Sequence, residues 1–390
     1  MTNLIDSFWI RLPNLVVGNG TTAQTGDIAH NLGANKVLIV TDAGVAKASL
    51  LNMVKESLVK EHIDFGIFDG CQPNAPVTTI KRCADFAREG KYDLLIGVGG
   101  GSVMDTAKLA AIAAKGMDTI EDIERYTING PPRRGISKIL IPTTSGTGSE
   151  ASTAAVLTDN RGIVRGTRGE FTTAEAAIVD PLLTLNLPPR LTAESGFDAF
   201  CHAFEAYTSN RAQLISEALD EKALKLIAEN LPLAYREGAK NPEARYGMAV
   251  AATMAMASVS MSQASLPHAM GHALQSVVNT SHGSSLSILL PTIMEFNMSA
   301  CPDKYARVAE LMGEKTEGLF QNDASAKAIA AVRQIIKDIE LPTRLRDVSV
   351  TKAQIPRIVD ILFDINLRNV KSNPRPVSRE DATKIFEAAW

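Results

Sequence analysis

The sequence has no cysteines close enough along the chain to act as a pair: Cys71, Cys83, Cys201 and Cys301 are scattered through 390 residues. That argues against a disulfide framework and a thiolate zinc site, and a reducing compartment is expected. Charge of one sign is also missing, since 40 basic and 43 acidic residues leave a net charge of −3. Nothing in that balance attracts nucleic acid or an anionic membrane, so neither is expected as a partner, and a small molecule is. No apolar run reaches the ~18 residues of a membrane span. The opening "MTNLIDSFWIRLPN" carries an acid and a proline where a signal peptide needs a basic and then an apolar region. A cytoplasmic protein is the expectation. Internal repeats and low-complexity segments are absent, and histidine is scarce, with six in all.

What is present is unevenly distributed. Of the 27 glycines, 20 precede residue 186 and 7 follow it. In the first half, short β-rich apolar runs (36–42, 64–69, 93–99, 138–143 and 176–180) alternate with helical patterns such as 45–60 and 78–89. That alternation predicts an α/β domain with a mostly parallel sheet. From Thr192 onward the apolar residues keep a helical period, as in "SEALDEKALKLIAENLPLAYREG". The expected organisation is an α/β domain over 1–185 and an all-helical domain over 186–390. The boundary is the proline-bearing "DPLLTLNLPPR".

Two loops in the first half suit a dinucleotide. "LLIGVGGGSVMDTAK" reads as a strand, a glycine cluster and a helix capped by Ser102, a turn whose backbone N–H groups can approach phosphate. "PTTSGTGSE" is a second polar loop directly after an apolar strand. Neither is the GxGxxG fingerprint or a Walker loop. Asp42, ending the strand "VLIVTD", is placed to bond a ribose 2′-OH and repel a 2′-phosphate, which favours NAD over NADP. A plain strand-to-helix turn and an exposed turn aspartate are the simpler alternatives.

The second half concentrates the histidines. Asp198 and His202 are four apart on a predicted helix, and His268 and His272 repeat the spacing on another, so each pair emerges on one helix face. Carboxylate and imidazole together suit Fe(II), Zn or Mn, and His282 in "NTSHGSS" can complete the set. Hydrogen-bonded core histidines are the simpler alternative, but unpaired polar groups in an apolar helical domain cost ~1–3 kcal/mol each. Pro267 marks the start of the helix that carries His268. The Met- and Ala-rich "MAVAATMAMASVSM" reads as helical packing.

These motifs, with "FDGCQPN" at 68–74, "GFDAFCHAFEAY" at 196–207 and "NPR" at 373–375, resemble the iron-containing, or group III, alcohol dehydrogenases over essentially the whole chain. The resemblance implies a nucleotide-binding α/β domain and a helical metal domain of dehydroquinate synthase-like architecture, with the active site in the cleft between them. It implies Fe2+ (Zn2+ or Mn2+ in its place) on Asp198, His202, His268 and His282, with His272 beside the site moving protons. It also implies NAD(H) held by Asp42, Gly99, Gly100, Gly101, Ser102, Asp105, Thr143, Thr144, Thr147 and, in place of the lysine many members have, Arg165.

The implied reaction is hydride transfer between NAD(H) and a small primary alcohol or its aldehyde, catalysed by a homodimer or larger homo-oligomer. Departures fall around the substrate: Ser265 and Pro267 before the metal histidine, and the small polar "ASTAA" after "GSE". Arg165, Arg168 and Arg368 offer guanidinium groups to an anionic tail. Reduction of a small anionic aldehyde such as sulfoacetaldehyde is therefore an alternative. A dehydroquinate synthase-like lyase and a non-catalytic metal-binding module remain readings of another class.

Overall fold

In the computed structural model, residues 10–365 and 367–390 are described. Residues 1–9, which the sequence reading assigns to the first domain, and residue 366 lie outside the described residues. The chain divides into two compact units: Arg11–Leu187 form the first, and Pro188–Trp390 form the second, which also takes Ile10, a residue the sequence reading assigns to the first domain. The boundary after Leu187 lies two residues beyond the expected one, because the proline-bearing connection closes with the α/β unit.

The α/β unit contains β1 (Asn14–Val17), α1 (Thr25–Asn31), β2 (Lys36–Val40), α2 (Ala43–Lys47), α3 (Asn52–Lys60), β3 (Asp64–Phe68) and α4 (Val77–Glu89). It continues with β4 (Leu94–Gly99), α5 (Gly101–Gly116), α6 (Ile120–Asn129), β5 (Ser137–Pro142), β6 (Ala154–Thr158), β7 (Val164–Arg168) and β8 (Ala176–Val179). The main sheet has the order β1-β8-β5-β4-β2-β3 and is parallel throughout. Its central strands are apolar on both faces: every residue of β4 is buried, as expected where helices cover both sides. The five strands read from the sequence are all present. The edge strand β1 and the β6–β7 hairpin were not anticipated, because β1 is short and exposed and the hairpin is interrupted by polar residues. The expected helix over 45–60 is two helices, broken where Ser49 adopts φ 59°.

The second unit is built of α7 (Pro189–Thr208), α8 (Leu214–Glu237), α9 (Pro242–Ser262), α10 (Leu266–Gln275), α11 (His282–Asn297), α12 (Pro302–Leu311), α13 (Gln321–Asp338), α14 (Ile355–Ile365), α15 (Leu367–Ser372) and α16 (Arg379–Ala388). Its core centres on Phe197, Phe200 and Phe204 of α7, packed with Leu224, Ile227 and Leu231 of α8 and Ala251 and Ala255 of α9. Burying this apolar surface is the dominant stabilising term. Small alanines on α9 let the helices approach, so "MAVAATMAMASVSM" is packing. No described helix is long and apolar enough to cross a membrane.

Candidate functional site

In the α/β unit, sheet order alone gathers the expected cofactor residues. β5, β4 and β2 are neighbours, so the segments leaving their C-terminal ends lie side by side: Thr143–Thr147, Gly99–Ser102 and Asp42. The chain order reverses between β2 and β4, and such a switch point is where open α/β sheets bind ligands. Gly101 is required by the close approach of two loops, since a Cβ there would lie 2.6 Å from Thr147 Cγ2. Thr143 N–H donates to the Gly99 carbonyl at 3.0 Å, fixing the same pair.

Three details differ from the expectation. Ser102 does not cap α5: Gly100 is the N-cap, without a side-chain bond, and the Ser102 hydroxyl accepts from Asn74 N–H at 2.9 Å. The first-turn N–H groups of α5 therefore have no side-chain cap, which suits a phosphate. Asp105 turns inward; its oxygens accept from Ser149 Oγ (2.6 Å) and Val156 N–H (2.9 Å), and Lys108 lies 3.5 Å away. Its carboxylate thus pins the threonine-bearing loop to α5. Arg165 is held in the β6–β7 hairpin by Asp159, Nε to Oδ2 at 3.1 Å. Asp42 caps α2 by accepting from Gly44 and Val45 N–H through Oδ1.

The helical unit assembles the second cluster from three helices. Asp198 and His202 lie on one face of α7, and Pro267 sits in the first turn of α10, which carries His268 and His272. His282 opens α11 instead of lying in a loop; Ser281 is the N-cap and accepts from Ser284 N–H. Asp198 Oδ1 lies 3.3 Å from His268 Nε2, 3.4 Å from His282 Nε2 and 3.6 Å from His202 Nδ1. The ligand atoms of a tetrahedral first-row metal are about 3.3–3.4 Å apart for bonds near 2.1 Å. Asp198, His268 and His282 thus offer one atom each within 4.8 Å of one another. His202 stands outside that tightest set, stacked on His268 at 4.3 Å, and its buried Nδ1 has no partner. An orphaned buried nitrogen facing a carboxylate is what a cation would satisfy.

The spacing on both helices continues further than the sequence reading followed it. Glu205, three residues after His202, is fully buried and accepts from His268 Nδ1 at 2.6 Å and from Ser265 N–H at 2.7 Å. Gln275, three residues after His272, lies with Oε1 2.9 Å from His282 Nδ1. Each engages the Nδ1 side and leaves Nε2 for the metal. Glu194, one turn before Asp198, accepts from Ser281 Oγ at 2.7 Å and anchors the start of α11. Gly283 allows that approach, since a Cβ there would lie 2.3 Å from the Glu194 carbonyl. The i, i+4, i+7 pattern was the available signal for Glu205 and Gln275.

Electrostatics agree with the geometry. Burial opposes charge on Asp198, but His202, His282 and His268 outweigh it and hold the carboxyl well below its usual range. Burial also opposes charge on His268, yet Glu205 and Asp198 push it up to about 10. Burial lowers His202 to about 4. His272, with His282 stacked beside it at 5.1 Å, is held well below the ordinary histidine value by burial and by its histidine neighbours. It is therefore a neutral imidazole near neutral pH. Away from the cluster, Asn373 of "NPR" exchanges amide hydrogen bonds with Asn297, both at 2.8 Å, so that motif joins the C-terminal segment to α11.

Comparison with known proteins matches both units. Residues 13–181 match the model of iron-containing alcohol dehydrogenase, and residues 192–390 match the C-terminal model of the Fe-containing alcohol dehydrogenase family. The chain is 34% identical over 377 residues to a sulfoacetaldehyde reductase of Bilophila wadsworthia, covering 96% of each protein. A solved 1,3-propanediol oxidoreductase superposes with a TM-score of 0.93 at 32% identity, over 98% of this chain and 100% of that one. A sulfoacetaldehyde reductase of Bifidobacterium kashiwanohense, solved with NAD+, gives 0.86 at 25% identity over 98% of each chain. The chain belongs to the iron-containing alcohol dehydrogenase family, oxidoreductases that interconvert alcohols and aldehydes with NAD(H) and Fe2+.

Proposed function

We propose that Asp198, His202, His268 and His282 hold the iron, that His272 carries the proton, and that the segments after β2, β4 and β5 hold the dinucleotide. The observation that carries the reading is the set of 3.3–3.4 Å separations at Asp198 Oδ1, made from three helices with the Nδ1 atoms engaged behind them. When bound, Fe2+ supplies Lewis-acid stabilisation of negative charge on the substrate oxygen, and NAD(H) supplies or accepts the hydride. Asp198 brings the one formal negative charge among the four ligands. Glu205 and Gln275 fix the orientation of the His268 and His282 rings. His272 is neutral, and its ring nitrogens make no hydrogen bond to the described residues. It is thus free to accept the hydroxyl proton in alcohol oxidation and to return it in aldehyde reduction.

The substrate is a small primary alcohol or its aldehyde. Full-length family membership argues against the lyase and the non-catalytic module. A cytoplasmic homo-oligomer is part of this reading. Edge strand β1 supports the oligomer, because Leu15 and Val17, with Leu12 just before the strand, leave apolar surface exposed. The test is His282→Ala and His268→Ala, with metal content and NADH-coupled aldehyde reduction measured on anaerobically prepared protein. Loss of both iron and turnover is expected; full turnover in metal-free protein refutes the mechanism.

A further inference from the structure

We propose that Lys108 is a positioning residue of the dinucleotide site: its buried ammonium fastens Ser149 and the start of β6 to α5, and so holds the threonine loop in place for the cofactor. The inference rests on the reading that the segments after β4 and β5 hold the dinucleotide, and it names the group that fixes one against the other.

A lysine is almost never fully buried unless its ammonium is paired, and Lys108 has no exposed surface. On α5 it follows Gly101 and Asp105 in an i, i+4, i+7 series, so the three share one helix face. At the start of that face Gly101 meets Thr147 of the threonine loop. Two turns further on, Lys108 Nζ donates to Ser149 Oγ and to the Ala154 carbonyl, each at 2.7 Å. An ammonium has three donors, and Asp105 Oδ1 lies 3.5 Å from the nitrogen. Ser149 Oγ donates in turn to Asp105 Oδ1 at 2.6 Å, and Asp105 Oδ2 accepts from Val156 N–H at 2.9 Å. The chain of bonds continues into the loop, where Ser149 N–H donates to Thr147 Oγ1 at 3.3 Å. Thr147, the residue that closes on Gly101, is therefore linked to Lys108 through a single serine.

Neither charge can be given up alone. Burial works against ionisation of both Asp105 and Lys108, and their mutual attraction is the main effect opposing it, joined at Lys108 by Glu150. In a site closed to water, removing one partner strands the other. The Ser149 hydroxyl accepts from the ammonium and donates to the carboxylate, so it cannot shift without leaving both. The threonine loop is thereby ordered before the cofactor arrives, and the cost of ordering it is not drawn from binding. Lys138 offers a contrast within the same unit. It is 1% exposed, but it lies near the N-terminal end of β5 and donates to the Phe171 carbonyl at 3.3 Å. Its bond reaches none of the segments that leave the C-terminal ends of β2, β4 and β5.

The test measures the NADH dissociation constant, Tm and amide hydrogen exchange in wild type, Lys108→Met, Ser149→Ala and Lys138→Met. Ser149→Ala removes the link to Thr147 and leaves Lys108 and Asp105 to pair directly, so it keeps the proposal testable where Lys108→Met fails to fold. It is expected to weaken NADH binding roughly 10-fold, with KM for NADH rising by that factor and kcat falling by less. Folded Lys108→Met should weaken binding at least as much. In cofactor-free protein, exchange over residues 147–156 should quicken in both variants while β4 stays protected. Lys138→Met should lower Tm and leave NADH binding where it is in wild type. An unchanged NADH dissociation constant in Ser149→Ala overturns the proposal even if Tm falls or exchange quickens, because the network then stabilises the fold without positioning the cofactor. Equal weakening by Lys138→Met also overturns it, since loss of any buried lysine would then suffice. A wild type that binds no NADH refutes the dinucleotide reading and this inference with it, a result distinct from a binding wild type whose variants do not differ.

Discussion

Replacing Glu205 by Gln tests whether the reaction centre depends on a residue that touches neither substrate nor metal. The glutamate is fully buried, with Oε1 2.6 Å from His268 Nδ1 and Oε2 2.7 Å from Ser265 N. A glutamine fits the same space but has one acceptor oxygen. Its NH2 must face either the Ser265 N–H or the His268 ring. If it faces the ring, Nδ1 becomes the acceptor and the imidazole proton moves to Nε2, the atom that should bind metal. If it faces Ser265, two donors meet in a buried site. Either way one bond to a charged group is lost, worth about 1.5–3 kcal/mol. Outer-shell carboxylates of this kind typically change metal affinity by roughly 10- to 100-fold. Iron retention under chelator competition should fall by that factor, while the thermal transition stays cooperative. Saturating Fe(II) should restore most of the turnover. Unchanged iron affinity in a folded variant would refute the claim that Glu205 positions His268.

Other perturbations separate the remaining roles. Gly101→Ala puts a Cβ 2.6 Å from Thr147 Cγ2, so the two loops must part at a cost of about 1–3 kcal/mol; NADH titration should show weaker binding with the fold retained. Arg165→Met should leave NADH affinity unchanged and lower Tm slightly, because Arg165 bonds Asp159 in the hairpin; a large rise in the NADH dissociation constant would restore the cofactor role read from sequence. Asp220 has both carboxyl oxygens buried without a partner, since Ser258 Oγ donates to the Ser216 carbonyl instead, and burial holds its pKa well above the usual range. A raised acid contributes stability below its unfolded pKa of about 3.9, and this is lost at up to about 1.4 kcal/mol per pH unit as pH rises toward the folded value. Asp220→Asn should therefore gain Tm relative to wild type as pH goes from 5 to 8; parallel profiles would count against a neutral Asp220.

Much was legible in the sequence because it is written in local periodicity. Alternating apolar runs and glycine turns determined the parallel α/β unit, and a 3.6-residue period determined the helical one. Spacing of four placed Asp198 with His202 and His268 with His272, and Pro267 marked the start of α10. What sequence left open depends on which surfaces meet. Strand order brings Asp42, the glycine turn and the threonine loop together, and no local pattern encodes that order. Asp105 and Arg165 carry the right chemistry for a cofactor, but packing turns them toward Ser149 and Asp159. Glu205 and Gln275 gain their roles only when α7, α10 and α11 converge. The sequence by itself determined which side chains share a helix face, because that follows from backbone geometry. Only the tertiary structure decided which face meets which, because partners distant in sequence are selected by burial and by hydrogen bonds that must be satisfied once water is excluded.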